Sequence, residues 1–294
     1  IHAEIIKQGL LGKKIIVLGN ALIDMYAKCG VVTKAAQVLQ ELQVRDEVSW
    51  NTLIIGYIHQ GDDREGLNWF QCMQSEGFCL NTIIIIYILK ACGNLGFVEK
   101  GQEIHKEIVE RGLGNDLVLG NALINMYVKC GALNKAEEVF QGLLDKDLGS
   151  FHPLLARYAQ EGQAEDALKC FESMRSQCIY WDAFTLTCIL RACTLEGAPE
   201  LGEIIEVEIR KRGLLKKDMV LGATLVDMYV KFGMLEKARD VFEHLPERNV
   251  VTWTTMIAGY AQYGLGHEAL KCFRIMQDEV QLVVSFITLG GRYR

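Results

Sequence analysis

The sequence predicts an all-α fold, a right-handed superhelical α-solenoid of helix-turn-helix repeats, and three observations favour this class. Long strings of residues recur at an offset of 101 or 102 positions. Apolar residues within these strings follow the period of an amphipathic helix. Only 3 prolines occur among 294 residues, and the glycines fall singly between segments of helical length.

Three different strings carry the repeat. They read GNALIDMYAKCG, VSWNTLIIGYIHQG and IYILKACGNLGFVEKGQEI at their first occurrence. The three strings and their returns begin at Gly19, Gly120 and Gly222, at Val48, Gly149 and Val251, and at Ile86 and Thr187. Each long period divides into three hairpins, and the first period divides into residues 16–46, 47–81 and 82–116.

Two amphipathic helices are predicted in each hairpin. In the first hairpin the apolar face of the first helix contains Leu18, Leu22, Met25, Tyr26 and Cys29. The apolar face of the second helix contains Ala35, Val38, Leu39 and Leu42. Each helix is too short to be stable alone, so burial against neighbouring hairpins must supply the stability. We expect Gly19, Gly120 and Gly222 to permit close approach between helices.

Composition limits the function classes. The longest apolar run, from Ile83 to Leu89, is too short to span a bilayer, which predicts no membrane association. Ten cysteines without a Cys-x-x-Cys pair indicate reduced thiols, most of them in the core. A net charge of −6 argues against nucleic-acid binding driven by simple electrostatics. Because residue 1 is Ile within a helical pattern, we expect the chain to be a fragment.

These motifs resemble a known family. The 31/35/35 spacing, with the blocks MYAKCG, MYVKCG, WNTLIIGY and GQEIHKEIVERG, is similar to plant organellar pentatricopeptide-repeat proteins of the PLS subclass. The resemblance covers residues 1–284 and implies short (S) motifs at 16–46, 117–147 and 219–249. It also implies P motifs at 47–81, 148–182 and 250–284, and long (L) motifs at 82–116 and 183–218. Residues 1–15 would then be a partial L motif, and 285–294 the truncated start of a further repeat.

The resemblance also implies a site. Each motif would read one base of single-stranded RNA with its fifth and last residues and clamp that base with its second residue. The implied base-reading residues are Asn20, Asp46, Asn51, Asn81, Asn121, Asp147, His152, Asp182, Thr187, Asp218, Ala223, Asn249 and Thr254. The implied clamps are Val17, Val48, Ile83, Val118, Phe184, Val220 and Val251, whereas Gly149 departs from the apolar pattern.

The spacing within the S motifs agrees with such a site. Val17, Asn20, Asp24 and Lys28 form a stripe on the first helix that is separate from the core face. An apolar residue, an amide and a cation on one face suit a flat base and its phosphate. We therefore predict that Lys28, Lys129 and Lys231 contact phosphates. The alternative is a solvated helix face without a ligand.

Other candidate chemistry is weak. His2-Ala3-Glu4 and His105-Lys106-Glu107 each match half of a zinc-deaminase motif, but the Pro-Cys-x-x-Cys half is missing. Cys188 and Cys193 lack the further ligands that a zinc site requires. Trp50 and Trp253 are interpreted as core residues. The sequence holds no nucleophile, metal or phosphate-loop motif, which predicts a protein that is not an enzyme and needs no cofactor or metal.

The functional hypothesis is sequence-specific binding of single-stranded RNA that specifies a site for RNA editing or processing. The resemblance implies a mitochondrion or chloroplast, and an editing deaminase or editing cofactor acting in trans as a possible partner. The family's pairing rules predict a site that begins U, pyrimidine, any base, U. The alternative is a protein-binding scaffold of the tetratricopeptide type, although its 34-residue period is absent.

Overall fold

A computed structural model describes the backbone of residues 16–290 and the side chains of residues 16–279. Within this range sixteen α-helices and one short 3₁₀-helix follow one another, and no strand occurs. The helices pair into eight hairpins, so the predicted all-α class with helix-turn-helix repeats is confirmed. The predicted partial motif at 1–15, with His2, lies outside the described residues.

The sixteen helices alternate between a first and a second helix of each hairpin. The first helices are α1 (Ile16–Lys28), α3 (Glu47–His59), α5 (Thr82–Leu95), α7 (Leu117–Lys129), α9 (Leu148–Glu161), α11 (Ala183–Glu196), α13 (Met219–Lys231) and α15 (Val250–Gln262). The second helices are α2 (Val32–Glu41), α4 (Asp63–Ser75), α6 (Val98–Glu110), α8 (Leu133–Gly142), α10 (Ala164–Ser176), α12 (Pro199–Lys211), α14 (Leu235–Glu243) and α16 (Gly266–Gly290). The 3₁₀-helix, Leu214–Lys216, precedes α13.

Helix α16 is the longest, and it continues past residue 284, where the repeat spacing places a boundary. The predicted start of a further repeat therefore forms the end of α16 up to Gly290, and residues 291–294 lie outside the described range. No helix in residues 16–290 combines the length and the apolar character that crossing a bilayer requires.

The described residues form two compact units that divide between Leu154 and Leu155. In the first unit α1, α3, α5 and α7 contact one another in chain order. In the second unit α11, α13 and α15 do the same. The first helices therefore make one row in each unit, and the second helices pack beside that row.

The core is built from the apolar faces that the sequence predicts, with two exceptions in the first hairpin. Ala35, Val38, Leu39 and Leu42 are buried, but Met25 and Cys29 are exposed. The residues that correspond to Met25 in the later S motifs, Met126 and Met228, are buried because they pack against Gly101 and Gly202 of the preceding hairpins. Met25 lies on the first described helix, where no described glycine corresponds to Gly101 or Gly202.

Aromatic residues mark the junctions between hairpins. Trp50 and Trp253 are 2% and 3% exposed, which confirms that they belong to the core. Trp253 makes an edge contact with Phe242 of the preceding hairpin, at 4.7 Å between ring centroids. Such contacts add roughly 0.5 to 1.5 kcal/mol beyond the burial of apolar area.

Arginines tie successive hairpins together. Arg45 donates to the carbonyl of Leu39 at 2.9 Å and to Glu76 of the next hairpin at 2.7 Å. Arg248 makes the same link to Glu279 at 2.7 Å. Since these side chains are committed to the protein, they add no free positive charge for a ligand.

The cysteines divide differently from the prediction of mostly core thiols. Five are buried, Cys130 is intermediate, and Cys29, Cys72, Cys79 and Cys178 are exposed. Cys29, Cys79 and Cys178 lie in the turns after helices, where the chain leaves the core. All ten are free thiols.

Three glycines lie where a helix passes close to a leucine of the same hairpin, as expected from the sequence. A Cβ atom on Gly19, Gly120 or Gly222 would lie 2.5 Å from Leu42, Leu143 or Leu245 respectively. These leucines are buried, so they have little room to move. The glycines are therefore required for packing.

Gly120→Ala should destabilise the fold by about 1 to 3 kcal/mol, because the added methyl group overpacks against Leu143. Gly142→Ala is the matched control, since nothing lies within 4 Å of a Cβ atom there. The control should stabilise the fold by about 0.4 to 1 kcal/mol, because Ala lowers the conformational entropy of the unfolded chain. Urea denaturation of the wild type and both variants measures these effects, and equal midpoints for the two variants would contradict this packing.

Candidate nucleic-acid interface

The seven predicted clamp residues are exposed apolar side chains that form one row on the first helices of each unit, four residues in the first unit and three in the second. Their exposed fractions run from 42% for Phe184 to 77% for Val17. Exposed aliphatic residues are common singly, but the same position in seven hairpins is a pattern. The remaining first helix has Gly149 at this position, which is exposed as well and offers no side chain.

The last residue of each motif caps the first helix of the next hairpin. Its side-chain oxygen accepts a hydrogen bond of 2.8 to 3.1 Å from the third backbone N–H of that helix. The capping residues are Asp46, Asn81, Asp116, Asp147, Asp182, Asp218 and Asn249. Helix capping contributes about 0.5 to 2 kcal/mol for each residue of this kind.

Two of the predicted reading pairs, each made of the fifth and the last residue of a motif, are joined by a direct hydrogen bond. Asn20 Nδ2 donates to Asp46 at 3.1 Å to Oδ1 and 3.3 Å to Oδ2. Asn121 Nδ2 donates to Asp147 Oδ1 at 2.9 Å. The predicted reading positions of the first two S motifs are therefore neighbours in space, although they lie 26 residues apart.

The Asn20–Asp46 pair has a distinct electrostatic setting. Burial alone would raise the pKa of Asp46. Hydrogen bonds from Ser49, Asn20 and the backbone of Val48 outweigh burial and hold this pKa below its usual value. Asp46 is therefore ionised at neutral pH and presents only acceptors.

Four other predicted reading residues bond elsewhere. The amide of Asn81 donates to Glu47, and Asn249 Nδ2 lies 3.0 Å from the sulfur of Met219. The hydroxyls of Thr187 and Thr254 donate to carbonyls of their own helices, and each bond is 2.8 Å long. In each of these groups one donor is already bonded within the protein, so a base meets only the donors and acceptors that remain.

Three residues at the fifth position of their motifs are less suited than an Asn amide to forming hydrogen bonds with a base. Ile86 and Ala223 have no polar side-chain atom, and both therefore lack a group that could bond to a base edge. His152 has polar ring nitrogens, but its side chain is partly buried. The reading chemistry is thus unevenly distributed along the array.

Gly149 lies directly against the Asn121–Asp147 pair. A Cβ atom at Gly149 would be 2.6 Å from Asn121 Nδ2 and 3.1 Å from Asp147 Oδ1. The predicted clamp position of one hairpin is therefore adjacent to the predicted reading pair of the preceding hairpin. Because Gly149 has no side chain, nothing at that position covers the Asn121–Asp147 pair.

The three predicted phosphate-binding lysines differ in their surroundings. Lys28 is paired with Asp24 at 2.7 Å, and Lys231 is paired with Asp227 at 2.9 Å. Lys129 instead donates to the amide oxygen of Asn94 at 2.8 Å. Exposed ion pairs contribute only about 0.2 to 1 kcal/mol, so a phosphate can compete for either paired lysine.

A groove of about 370 Å³ opens between the first helices of the second unit. It is lined by Thr187, Arg191, Val220, Ala223, Thr224, Asp227, Asn249, Val251 and Thr255. Five of these residues belong to the predicted reading and clamping sets. The structure therefore brings predicted site residues of three successive motifs into one groove.

Two features of this surface are missing from the sequence prediction. Ser49, Ser150, Thr185 and Thr252 are fully buried polar residues at the third position of their hairpins, and they fix the capping side chains. Their signal was an Asp or Asn three positions before a Ser or Thr, which is typical of a helix start. The second missed feature is Arg191.

The other candidates have structural roles. His105, on α6, makes a hydrogen bond of 2.9 Å with Tyr127, and burial lowers the pKa of this histidine. Cys188 and Cys193 are buried, which raises the pKa of each thiol to about 11. No group of three His, Cys, Asp or Glu residues suited to a metal ion occurs within residues 16–279.

Stacked hairpins of alternating first and second helices define a helical-repeat solenoid. The PPR repeat family model matches residues 20–46, 48–78, 87–113, 121–148, 150–179, 224–250 and 251–279, more than half of the chain. The chain therefore belongs to the pentatricopeptide repeat family. The matched ranges omit the L motif predicted at 183–218.

Relatives in Arabidopsis thaliana agree with this assignment. The chain is 35% identical over 276 residues to the mitochondrial pentatricopeptide repeat-containing protein At3g09040, covering 94% of this chain and 26% of the relative. It is 35% identical over 277 residues to the chloroplastic protein At1g11290, covering 94% of this chain and 34% of the relative. The chain thus spans between a quarter and a third of the length of these relatives.

Solved structures show the same fold. The crystal structure of PPR10 from maize matches 91% of this chain and 39% of that chain, with a TM-score of 0.75 and 22% identity. PPR10 in complex with an 18-nt psaJ RNA element matches 94% of this chain and 42% of that chain, with a TM-score of 0.71 and 22% identity. The pentatricopeptide-repeat solenoid fold is therefore established for this chain.

Asn20→Ala should raise the pKa of Asp46, because it removes one of the hydrogen bonds that favour the carboxylate. The depressed pKa of Asp46 stabilises the fold above the carboxyl's unfolded pKa, and this stabilisation is lost as pH falls through the folded value. Asn20→Ala should therefore reduce the loss of stability on acidification. An NMR titration of the Asp46 carboxyl measures the shift, and Asn51→Ala, at the fifth position of the next motif, is the control that should leave it unchanged.

Proposed function

We propose that this chain binds single-stranded RNA sequence-specifically, with one base per repeat, and thereby specifies a site for organellar RNA editing or processing. The observation that carries the proposal is the hydrogen-bonded Asn–Asp pair beside an exposed apolar clamp, seen at Asn20 with Asp46 and at Asn121 with Asp147. At the first pair an unstacked base fits between Val17 and Val48, and its edge then faces the pair. At the second pair the base rests on Val118 alone, because Gly149 has no side chain.

The chemistry of the pair favours uracil over cytosine. An ionised Asp carboxylate can only accept hydrogen bonds. Uracil offers its N3–H as a donor at the centre of the Watson–Crick edge, whereas cytosine has an acceptor at N3 and a donor only on its N4 amino group. A carboxylate that faces N3 therefore favours uracil. Asp147 Oδ1 is occupied by Asn121 and Ser150, so Oδ2 is the oxygen left for a base.

The asparagines at the fifth position support the same conclusion. The amide oxygens of Asn20, Asn51 and Asn121 are buried and accept no hydrogen bond within the described part of the chain. A buried acceptor without a partner costs about 1 to 3 kcal/mol. A donor on a base edge would relieve that cost, after a small shift of the amide and the clamp that cover the oxygen.

The acidic overall charge is compatible with this function. Binding would depend on the clamps, the reading pairs and a local row of lysines on the first helices rather than on a wide basic surface. Lys129, which has Asn125 where the other S motifs have Asp24 and Asp227, carries the least compensated of these charges. Affinity should therefore vary along the array and be modest in total.

The family membership supports the biological setting. Relatives that match most of this chain carry mitochondrial or chloroplastic names, and a structural neighbour was solved with an RNA element. We assign the array to the PLS subclass on its 31/35/35 spacing, to an organelle, and to action together with an editing deaminase or editing cofactor in trans. The chain itself acts as the specificity module and performs no catalysis.

A protein-binding scaffold of the tetratricopeptide type is the alternative. The row of clamps at the same position of seven hairpins favours RNA, because a peptide has no repeating flat unit that would need it. A titration with pools of short single-stranded RNAs separates the two functions. Failure to bind any pool would contradict RNA binding.

Asn121→Thr should move the preference at the fourth base from U toward G, because a hydroxyl replaces the amide while Asp147 is retained. A good side-chain pair discriminates between bases by roughly 1 to 3 kcal/mol in the better-studied DNA case, so affinities should change about five- to hundredfold. Binding to RNAs that begin U, pyrimidine, any base and either U or G at the fourth position measures the change.

Thr52→Val is the matched control for this base swap. It removes a hydroxyl from a first helix, but that hydroxyl bonds to the carbonyl of Val48 at 2.7 Å and belongs to no reading pair. The control should leave every base preference unchanged. Equal binding of the U and G RNAs by both wild type and Asn121→Thr would refute base reading at this motif.

Asp24→Asn combined with Asp227→Asn should tighten RNA binding about two- to fivefold at low salt, because each change frees a lysine from an exposed ion pair. The gain should shrink as salt screens these charges. Glu65→Gln combined with Glu172→Gln, at exposed positions of second helices, is the control for the same change in net charge. If the two double variants bind alike, Lys28 and Lys231 belong only to a solvated face.

A further inference from the structure

Two basic residues on the first helices of the L motifs belong to none of the predicted base-reading, clamping or phosphate-binding sets. Lys90 on α5 and Arg191 on α11 occupy the same place in the repeated strings IYILKAC and TCILRAC. Each lies four residues after the fifth position, Ile86 or Thr187, and therefore one helical turn further along the same face.

Lys90 and Arg191 differ from the other first-helix cations. In residues 16–290 the first helices carry Lys28, Lys90, Lys129, Arg157, Arg191 and Lys231. Lys28, Arg157 and Lys231 are paired with carboxylates, and Lys129 donates to Asn94. Within the described residues Lys90 and Arg191 are exposed and make neither a hydrogen bond nor an ion pair.

The groove in the second unit shows where such a cation lies. Arg191 lines it together with the clamps Val220 and Val251. Asp227 lines the groove too, but its carboxylate is paired with Lys231 at 2.9 Å. The positive charge of Arg191 is therefore not neutralised by an ion pair in the groove. In the first unit Asn125 replaces Asp227, which leaves Lys90 and Lys129 without an acid at that position.

The L motifs are also poorly equipped to recognise a base. Ile86 has no polar side-chain atom, and the hydroxyl of Thr187 donates to the carbonyl of Ala183 at 2.8 Å. A motif that cannot discriminate between base edges can still bind the backbone, because phosphate is present at every nucleotide. Free Lys and Arg side chains are suited to this contact.

We infer that Lys90 and Arg191 each bind a phosphodiester group, so that the L motifs hold the RNA backbone in a sequence-neutral way between the base-reading S and P motifs. This inference rests on the proposed RNA binding. The ligand is the phosphate of a single-stranded RNA that is seated on the clamps, and the third and sixth nucleotides are those nearest to these motifs.

The first test replaces both residues, as Lys90→Gln and Arg191→Gln. Each lost phosphate contact should flatten the log-log salt dependence by about 0.7, so the double variant should lose about 1.4 units of slope. Affinity should fall evenly for all RNAs, and the preference for U at the first and fourth bases should be retained. Arg64→Gln combined with Arg274→Gln, which removes two exposed cations from the second helices α4 and α16, is the matched control and should change neither quantity.

A second test locates the contact. A neutral methylphosphonate replaces one linkage at a time near the third nucleotide, and the wild type should lose affinity at one of these linkages. Lys90→Gln should be insensitive to that replacement, whereas Arg64→Gln and the charge-retaining Lys90→Arg should stay sensitive. Free inorganic phosphate at equal ionic strength to a chloride control should not compete, since the site requires a strand held on the clamps.

The outcomes separate this inference from the proposed function. An unchanged salt slope in the double variant, with base preference intact, would overturn the phosphate role and leave base reading in place. If Asn121→Thr changes the base preference but not the log-log salt slope, the result bears only on the reading pairs and leaves the phosphate role in place. If the wild type binds no RNA, both the function and the inference fail.

Discussion

In each hairpin after the first, the first helix follows directly after an Asp or Asn. The side-chain oxygen of this residue accepts a hydrogen bond from the third backbone N–H of the helix. This cap fixes where the first helix starts, and therefore the register of every residue that follows on its exposed face. The clamp lies two positions after the capping residue, and the fifth position lies one turn further. The predicted reading residue at the end of one motif is thus the cap of the next helix, so in the proposed function stability and recognition use the same side chain.

That shared role limits what the capping residue can do for a ligand. One oxygen of Asp46 is held by Ser49, and one oxygen of Asp147 is held by Ser150. The two serines are fully buried, so the carboxylates cannot rotate freely. A rigid acceptor loses less conformational entropy on binding than a mobile one. In the proposed function, the buried Ser therefore holds the Asp carboxylate in place before RNA binds.

The hairpins could be predicted from the sequence because each buries its apolar face only against its neighbours, which makes the repeat visible as periodicity. The Asn20–Asp46 contact could be predicted through the family resemblance. The hydrogen bond from Asn81 to Glu47 could not be predicted, because no spacing rule places the carboxylate of Glu47 beside the amide of Asn81. By contrast, the bond from the hydroxyl of Thr187 to the carbonyl of Ala183 follows a local pattern, because a Thr within a helix commonly donates to the carbonyl four residues earlier. The exposure of Met25 was not predicted because the corresponding Met126 and Met228 are buried only through contacts with another hairpin.

The arginine links belong to particular pairs of side chains rather than to the repeat as such. Arg45 reaches Glu76 in the turn after α4, and Arg248 reaches Glu279 on α16. At the corresponding junction between α8 and α9 the chain has Lys146, which donates to the carbonyl of Leu143 at 2.7 Å, and Gln177 stands where the other two hairpins have Glu. A hairpin exchanged between these positions therefore keeps the link only if the Arg and the Glu on both sides of the junction are exchanged together.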